Sequence, residues 1–342
     1  MEDRFKQVIE KAYENEKTRE NYISRITGLM RKIDADTLFT VLEDPVRWYP
    51  KIREAYPSIP TRRNILTVFL ALFTKDKDLE EDVGGADVQK KWRQYHDELG
   101  RYQKTQESKS EPSQKQVEKY TSFEEIETKY RELGKKSPHE SLKSSQQYLL
   151  LSVVLHLKPK RADLGNVKIY YDKNPNKTDE NYIVLRTRGS SFLVMNLYKT
   201  NKFYHTVEED LPQELTDDLQ TSLRRHPRDY LFVSSEEKPM TNNTYSKWLS
   251  RNFDLLFGKT TGVSLLRHAF ISEKLDVSDM TLAEREDVAR KMQHSTALQD
   301  RYRFVKPKLC PALCQDYIKE HYTRKNHNNH SSKKTRKNRE PL

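Results

Sequence analysis

The chain is 342 residues long with a formal net charge of +11, enough length for two domains that each bury a core and enough positive charge to imply a polyanionic partner, nucleic acid or an anionic membrane surface. The segment Met1–Lys17 is too charged for a signal peptide, and the longest apolar stretches, Ile65–Phe73 and Tyr148–Leu157, are too short to span a bilayer. A soluble intracellular protein with no membrane-spanning role is expected.

The first hundred residues read as helices. Thr18 can cap a helix whose apolar positions Tyr22, Ile23, Ile26, Leu29, Met30 and Ile33 recur at intervals of three and four. Thr61 precedes a second, Arg62–Phe73, and a third runs from Ala86 to about Arg101 with Val88, Trp92, Tyr95 and Leu99 on one face. Pro45, Pro50, Pro57 and Pro60 punctuate the connections. The expectation is a small all-helical domain over residues 1–102.

Residues 103–120 lack the apolar periodicity of their neighbours and read as a linker or a ragged helix extension. A second domain, 121–322, opens with a capping box at Ser122 and Glu125, followed by a more buried helix over Ser145–Leu157. After Lys158-Pro159 the pattern alternates as strands do. Asn166–Tyr171 is one, Asn181–Thr187 and Ser191–Tyr198 flank a turn at Arg188-Gly189-Ser190, and Tyr204–Val207 adds an edge. Helices resume at Glu214–Arg225, Thr241–Phe257, Ser264–Leu275 and Thr281–Gln293, the last with a capping box at Thr281/Glu284. The fold class expected is mainly α with a small antiparallel β-sheet.

A basic protein acting on nucleic acid without a metal must supply three things to cleave a phosphodiester. A hydroxyl attacks, the extra negative charge on the non-bridging oxygens is held, and the leaving 5′-oxygen receives a proton. Guanidinium groups suit the second task, because they stay protonated and bind oxygens in pairs. Lysine or histidine suits the third. A tyrosine nucleophile conserves the bond energy in a phosphotyrosine ester, ready for religation.

The segments Val263-Ser-Leu-Leu-Arg267-His-Ala-Phe-Ile-Ser and Met292-Gln-His294-Ser-Thr-Ala-Leu-Gln-Asp-Arg-Tyr302 carry a resemblance. They resemble the second and third signature boxes of the tyrosine recombinase (phage integrase-like) superfamily, written HxLRHxxAT and LGHxxxxxTxxYxH, with a flavour closer to recombinases of crypton-type elements and large DNA viruses than to bacterial ones. The resemblance spans roughly Ser122–Lys319 and is specific mainly in its last part. It implies an α-helical core-binding domain followed by a catalytic domain, and strand cutting and rejoining through a covalent 3′-phosphotyrosyl intermediate, without a cofactor. Carried over, Arg267 is the second arginine, His294 the third-box histidine and Tyr302 the nucleophile, with Tyr317 and Tyr322 as rivals.

The earlier boxes match more loosely. Lys158-Pro-Lys160-Arg161-Ala-Asp163 sits where the family places its first arginine. The guanidinium argument favours Arg161, whereas alignment on Asp163 puts Lys160 in the slot. The family's lysine lies on a hairpin of the small sheet, where Lys199 fits and Lys202 is the rival. Two departures stand out. Ser264 occupies a position that is usually His or Lys, so charge is missing there or comes from His268. From His294 to Tyr302 is eight residues, one fewer than the commonest bacterial pattern.

The family's core-binding domain closes over DNA opposite the catalytic domain, so Arg62, Arg63, Lys90, Lys91 and Arg93 are candidate phosphate contacts, though solvated helix faces would look the same. Leu309, Leu313, Tyr317 and Ile318 fall at helical spacing. In this family such a helix often docks on a neighbouring protomer, which implies a dimer to tetramer on duplex DNA; packing on its own domain fits the pattern equally. Cys310 and Cys314 have no flanking ligands in a zinc pattern, so no metal site is expected and they read as reduced thiols. Residues 323–342 hold seven Lys/Arg against one Glu, a net +6 that leaves about +5 for the rest. This basic tail suits disorder, solubility, nuclear targeting or non-specific DNA binding. Two rivals to a recombinase remain: a type IB topoisomerase, and a domesticated DNA-binding protein that no longer cuts.

Overall fold

The structure is a computed structural model and describes residues 2–304. The cysteines, Tyr317, Tyr322, the terminal helical pattern and the basic tail lie outside the described residues.

The chain divides into two compact units between Lys109 and Ser110. The first holds α1 (Glu2–Ala12), α2 (Glu16–Ile33), α3 (Leu38–Glu43), α4 (Pro45–Ala55), α5 (Ile59–Lys75), α6 (Asp78–Asp82) and α7 (Ala86–Glu107). The cap of α2 is Asn15, not Thr18: the Asn15 side chain accepts the Thr18 backbone N–H. Helix α5 starts earlier than expected because Pro60 stands in its first turn, where the missing N–H costs nothing. Its apolar side packs on α7. Trp92 is fully buried, edge-on to Phe69 at 4.9 Å between centroids, and its indole N–H reaches Leu42 O at 2.8 Å, so the one polar atom of that ring is satisfied inside the core. Arg4 pairs with Asp76 at 2.8 Å, tying α1 to the end of α5.

Much of the segment expected as linker is helical. Helix α7 continues to Glu107, and α8 (Gln114–Lys119) is capped by a reciprocal Ser113/Gln116 box. The second unit continues with α9 (Phe123–Gly134), α10 (Leu142–His156), a 3-10 turn over Ala162–Asn166, β1 (Lys168–Tyr171), β2 (Tyr182–Leu185), β3 (Phe192–Met195), α11 (Asn201–Tyr204), β4 (Val207–Asp210), α12 (Gln213–Arg225), α13 (Asn242–Phe257), α14 (Val263–Glu273), α15 (Leu282–Lys291) and α16 (Thr296–Tyr302). The boxes at Ser122/Glu125 and Thr281/Glu284 both form, and α10 has another at Ser141/Ser144 that moves its start back to Leu142.

The sheet runs β1-β2-β3-β4 and is mixed, not antiparallel. β1 pairs with β2 in parallel, Lys168 opposite Tyr182, while β2–β3 and β3–β4 are antiparallel. The cause is the connection 172–181. Asp172 takes φ 56 and its carboxylate accepts the Thr187 N–H at 2.7 Å, turning the chain back to the start of β1, where Lys168 N–H meets Asn181 O at 2.9 Å. Alternation in β2 and β3 sends Ile183, Leu185, Leu193 and Met195 into the main core, and Tyr182, Val184, Phe192 and Val194 into a smaller cluster on the other face. The edge strand also lies later than expected. Tyr204 ends α11, His205 turns at φ 52, and β4 begins at Val207 with Glu209 facing inward.

Gly165, in the 3-10 turn, lies against α13: a Cβ there would sit 2.7 Å from both Met240 O and Tyr245 Cβ. Gly165→Ala should therefore destabilise the second unit by about 1–3 kcal/mol through overpacking, read as a lower denaturation midpoint. An unchanged midpoint would show that the turn and helix can separate freely.

Candidate active site

The chain leaves α10 at Leu157, and Pro159 prevents any continuation of the helix. Lys160 then turns inward. Its ammonium, fully buried, contacts the Glu209 carboxylate on β4 and donates to Lys291 O at 2.6 Å; Lys158 approaches the other Glu209 oxygen at 3.4 Å. Burial pulls the Lys160 ammonium down from its ordinary range, and Glu209 pulls it back. Lys160 is thereby engaged inside the fold, away from the cluster that Arg161 joins. Arg161 is extended and half-buried, and its Nε donates to Gln293 O at 3.4 Å.

Asp163, two residues on, is buried beside Arg161 and Arg267. Burial raises its carboxyl, and the bond from Asn242 Nδ2 at 2.7 Å opposes this, as do the two guanidiniums. Arg267 comes from the middle of α14 and is 2 % exposed, with Nε and Nη2 lacking any partner. Burial, the largest influence, draws it down to about 10; Arg161 adds to this, while Tyr302 and Asp163 oppose it. It remains a cation at neutral pH.

The Arg267 guanidinium lies 5.1 Å from the centroid of the Tyr302 ring. The His294 ring lies 5.7 Å from the same centroid. His294 follows the end of α15, and its Nδ1 bonds Ser295 O at 2.9 Å. A carbonyl only accepts, so Nδ1 carries the proton and Nε2, buried and unpartnered, is a free acceptor in the neutral ring. Burial lowers His294 to about 4, with Arg267 and Arg161 pushing the same way.

Tyr302 ends α16. Its backbone O accepts from His268 Nδ1 at 2.7 Å, and the His268 ring stacks on Phe304 at 4.4 Å. Burial lowers His268 to about 4 as well. A neutral ring with that bond holds Tyr302 in place and does not make up charge for Ser264, which is exposed in the first turn of α14.

Gln293 O accepts from Thr200 Oγ1 at 3.1 Å as well as from Arg161. That bond brings the Lys199-Thr200 segment to the edge of the cluster. Lys199 itself is exposed, in the connection from β3 to β4, and Lys202 is exposed on α11. The tight β2–β3 turn carries Arg186 and Arg188, with no lysine. Arg161, Arg267, His294 and Tyr302 thus come together, and Thr200, the residue after Lys199, reaches Gln293 O beside them. In the first unit, Arg62 is buried, which removes it from ready phosphate contact. Arg63 is half-buried and bonds Gln103 at 3.4 Å, Lys91 bonds Gln94 and lies over Tyr95, and Lys90 and Arg93 are exposed. The sequence reading did not single out Gln293 or the Lys160–Glu209 pair.

The structure of a lambda integrase dimer bound to a COC′ core site is similar to this chain with a TM-score of 0.52 and 14% identity, covering 88% of this chain and 75% of that one. The fold is of the lambda integrase type. XerA recombinase is also similar, at a TM-score of 0.40 and 14% identity, covering 94% of this chain and 97% of that one. No protein-family model matches the chain, and no curated protein matches it. Among the described residues, no helix is long and apolar enough to cross a membrane.

Both histidines are held below the ordinary value of 6.5, so the unfolded chain binds more protons than the folded one between about 4 and 6.5. Stability should be full above pH 6.5 and fall as pH drops through this window, by up to about 1.4 kcal/mol per pH unit for each histidine. Melting of His294→Asn alongside wild type from pH 4 to 7 checks this; identical slopes would contradict the assignment for His294.

Proposed function

We propose that this chain is a DNA recombinase of the tyrosine recombinase kind, cutting and rejoining duplex DNA through a 3′-phosphotyrosyl intermediate. The observation that carries the reading is the Tyr302 ring packed on the Arg267 guanidinium and beside His294, all within one partly buried cluster. Arg161 and Arg267 hold the non-bridging oxygens of the scissile phosphate. The Tyr302 oxygen attacks phosphorus, and its proton passes to His294 Nε2. The bond from phosphorus to the 5′-oxygen breaks, and Lys199 donates the proton that makes a 5′-hydroxyl. Religation runs the same steps backwards. A bound phosphate anion raises the pKa of His294 by opposite charge, so the ring gains basicity when substrate is present.

Burial makes Arg267 a stronger electrostatic partner than an exposed arginine, since little water competes for it. The four-stranded mixed sheet and the lambda integrase-type fold support the same reading. The neighbouring structure is a dimer on DNA, and assembly of this chain as a dimer to tetramer on duplex DNA belongs to the proposal. So does a nuclear site of action. A crypton-like or large-DNA-virus-like subtype belongs to the proposal too, while Ser264 and the eight-residue spacing from His294 to Tyr302 mark departures from the commonest bacterial pattern.

Tyr302→Phe should abolish covalent protein–DNA adducts on nicked suicide duplexes while leaving gel-shift binding intact; adducts that persist would overturn the assignment. Lys199→Ala should slow cleavage by roughly 10²–10⁴-fold, the usual contribution of a positioned acid. Wild-type rates in that variant would transfer the role to Lys202. Plasmid relaxation by the monomer, with no site preference, would instead favour a type IB topoisomerase.

A further inference from the structure

Gln293 carries two local penalties at once. Its backbone sits at φ 61, the left-handed region that favours glycine over a residue with a side chain. Its side chain is fully buried, yet Nε2 has no hydrogen-bond partner, which leaves a desolvated donor uncompensated. Glycine would remove both. Unrelieved strain of this kind concentrates at functional positions.

The surroundings indicate what the amide is for. Oε1 faces the Arg161 backbone N–H at 3.5 Å, while Gln293 O takes Arg161 Nε and Thr200 Oγ1. The carboxamide is therefore held by its oxygen, next to the first guanidinium, with its NH₂ end free. His294 is the next residue. Arg267 Nε and Nη2 are unpartnered donors in the same cluster, so an anion arriving there would satisfy several orphaned donors together.

We propose that Gln293 Nε2 donates a hydrogen bond to a non-bridging oxygen of the scissile phosphate, supplying part of the stabilisation that exposed, uncharged Ser264 does not. The inference rests on the phosphotyrosyl reading above. An amide has an advantage over a cation here. Another positive charge beside His294 would lower its basicity further, whereas a neutral donor stabilises the oxygen and leaves His294 able to take the Tyr302 proton.

The test is single-turnover cleavage of a suicide duplex by wild type, Gln293→Gly and Gln293→Met. Each is run on a normal phosphate and on the two methylphosphonate diastereomers, with melting temperatures measured alongside. Gln293→Gly should melt no lower than wild type and cleave roughly 100-fold more slowly, the loss typical of one removed oxyanion donor. Gln293→Met, similar in bulk but without the donor, should lose activity comparably. On the diastereomer lacking the contacted oxygen, both variants should come within about threefold of wild type, since the two changes remove one interaction. Wild-type rates in both variants would overturn the inference, as would an equal loss on all three substrates, which marks a purely structural residue. If the wild-type protein itself forms no adduct, the phosphotyrosyl reading fails and this inference falls with it. Adduct formation with indifferent variants defeats the inference alone.

Discussion

The second unit depends on where one ammonium goes. Lys160 sits between the Glu209 carboxylate of β4 and the Lys291 carbonyl at the end of α15, joining three segments far apart in sequence. Removing one partner of such a buried pair typically costs about 3–5 kcal/mol, because the other is left charged and dry. The pair also sets direction. With Arg161 extended, successive side chains alternate, so Lys160 pointing inward sends Arg161 the other way, toward Gln293 O. Holding the Lys291 carbonyl fixes the turn that presents Gln293 and His294.

Around that anchor the site keeps polar groups unsatisfied. Arg267 Nε and Nη2, His294 Nε2, Gln293 Nε2 and Asp163 Oδ2 are all buried without partners. In water or in an ordinary core they would be paired. Asp163 offsets part of the repulsion between Arg161 and Arg267, and burial keeps both His268 and His294 neutral, so the cluster does not hold four cations at once. The Tyr302 ring covers Arg267 with its face, a contact that tolerates a cation without neutralising it. The unpaired donors of Arg267 and Gln293 thus lie in the same cluster as the Tyr302 ring.

Local chemistry was legible in the sequence where it is local in space. The capping boxes at Ser122/Glu125 and Thr281/Glu284 need only residues three apart, and both formed. Helical faces in α2, α5 and α7 followed from periodicity for the same reason. Strand direction was not legible, since alternation is the same in parallel and antiparallel pairs; the parallel β1–β2 ladder depends on Asp172 and Asn181 turning the connection. β4 was misplaced because its inward Glu209 looks like a surface residue until Lys160 is known to meet it. The resemblance to the two recombinase boxes, not spacing, made Arg267, His294 and Tyr302 candidates, and it could not separate Lys160 from Arg161, which differ in which side of the chain they face. Gln293 was passed over although it stands where the box LGHxxxxxTxxYxH has glycine, the residue a left-handed backbone favours.

The central claim is that one tyrosine oxygen becomes bonded to DNA phosphorus in this cluster. Peptide mapping by mass spectrometry of the full-length protein, trapped on a suicide duplex and digested with nuclease and protease, tests it most directly. The account predicts a nucleotide mass added to the peptide that contains Tyr302. A nucleotide on any other side chain, or no modified peptide from a protein that binds the duplex, would contradict it.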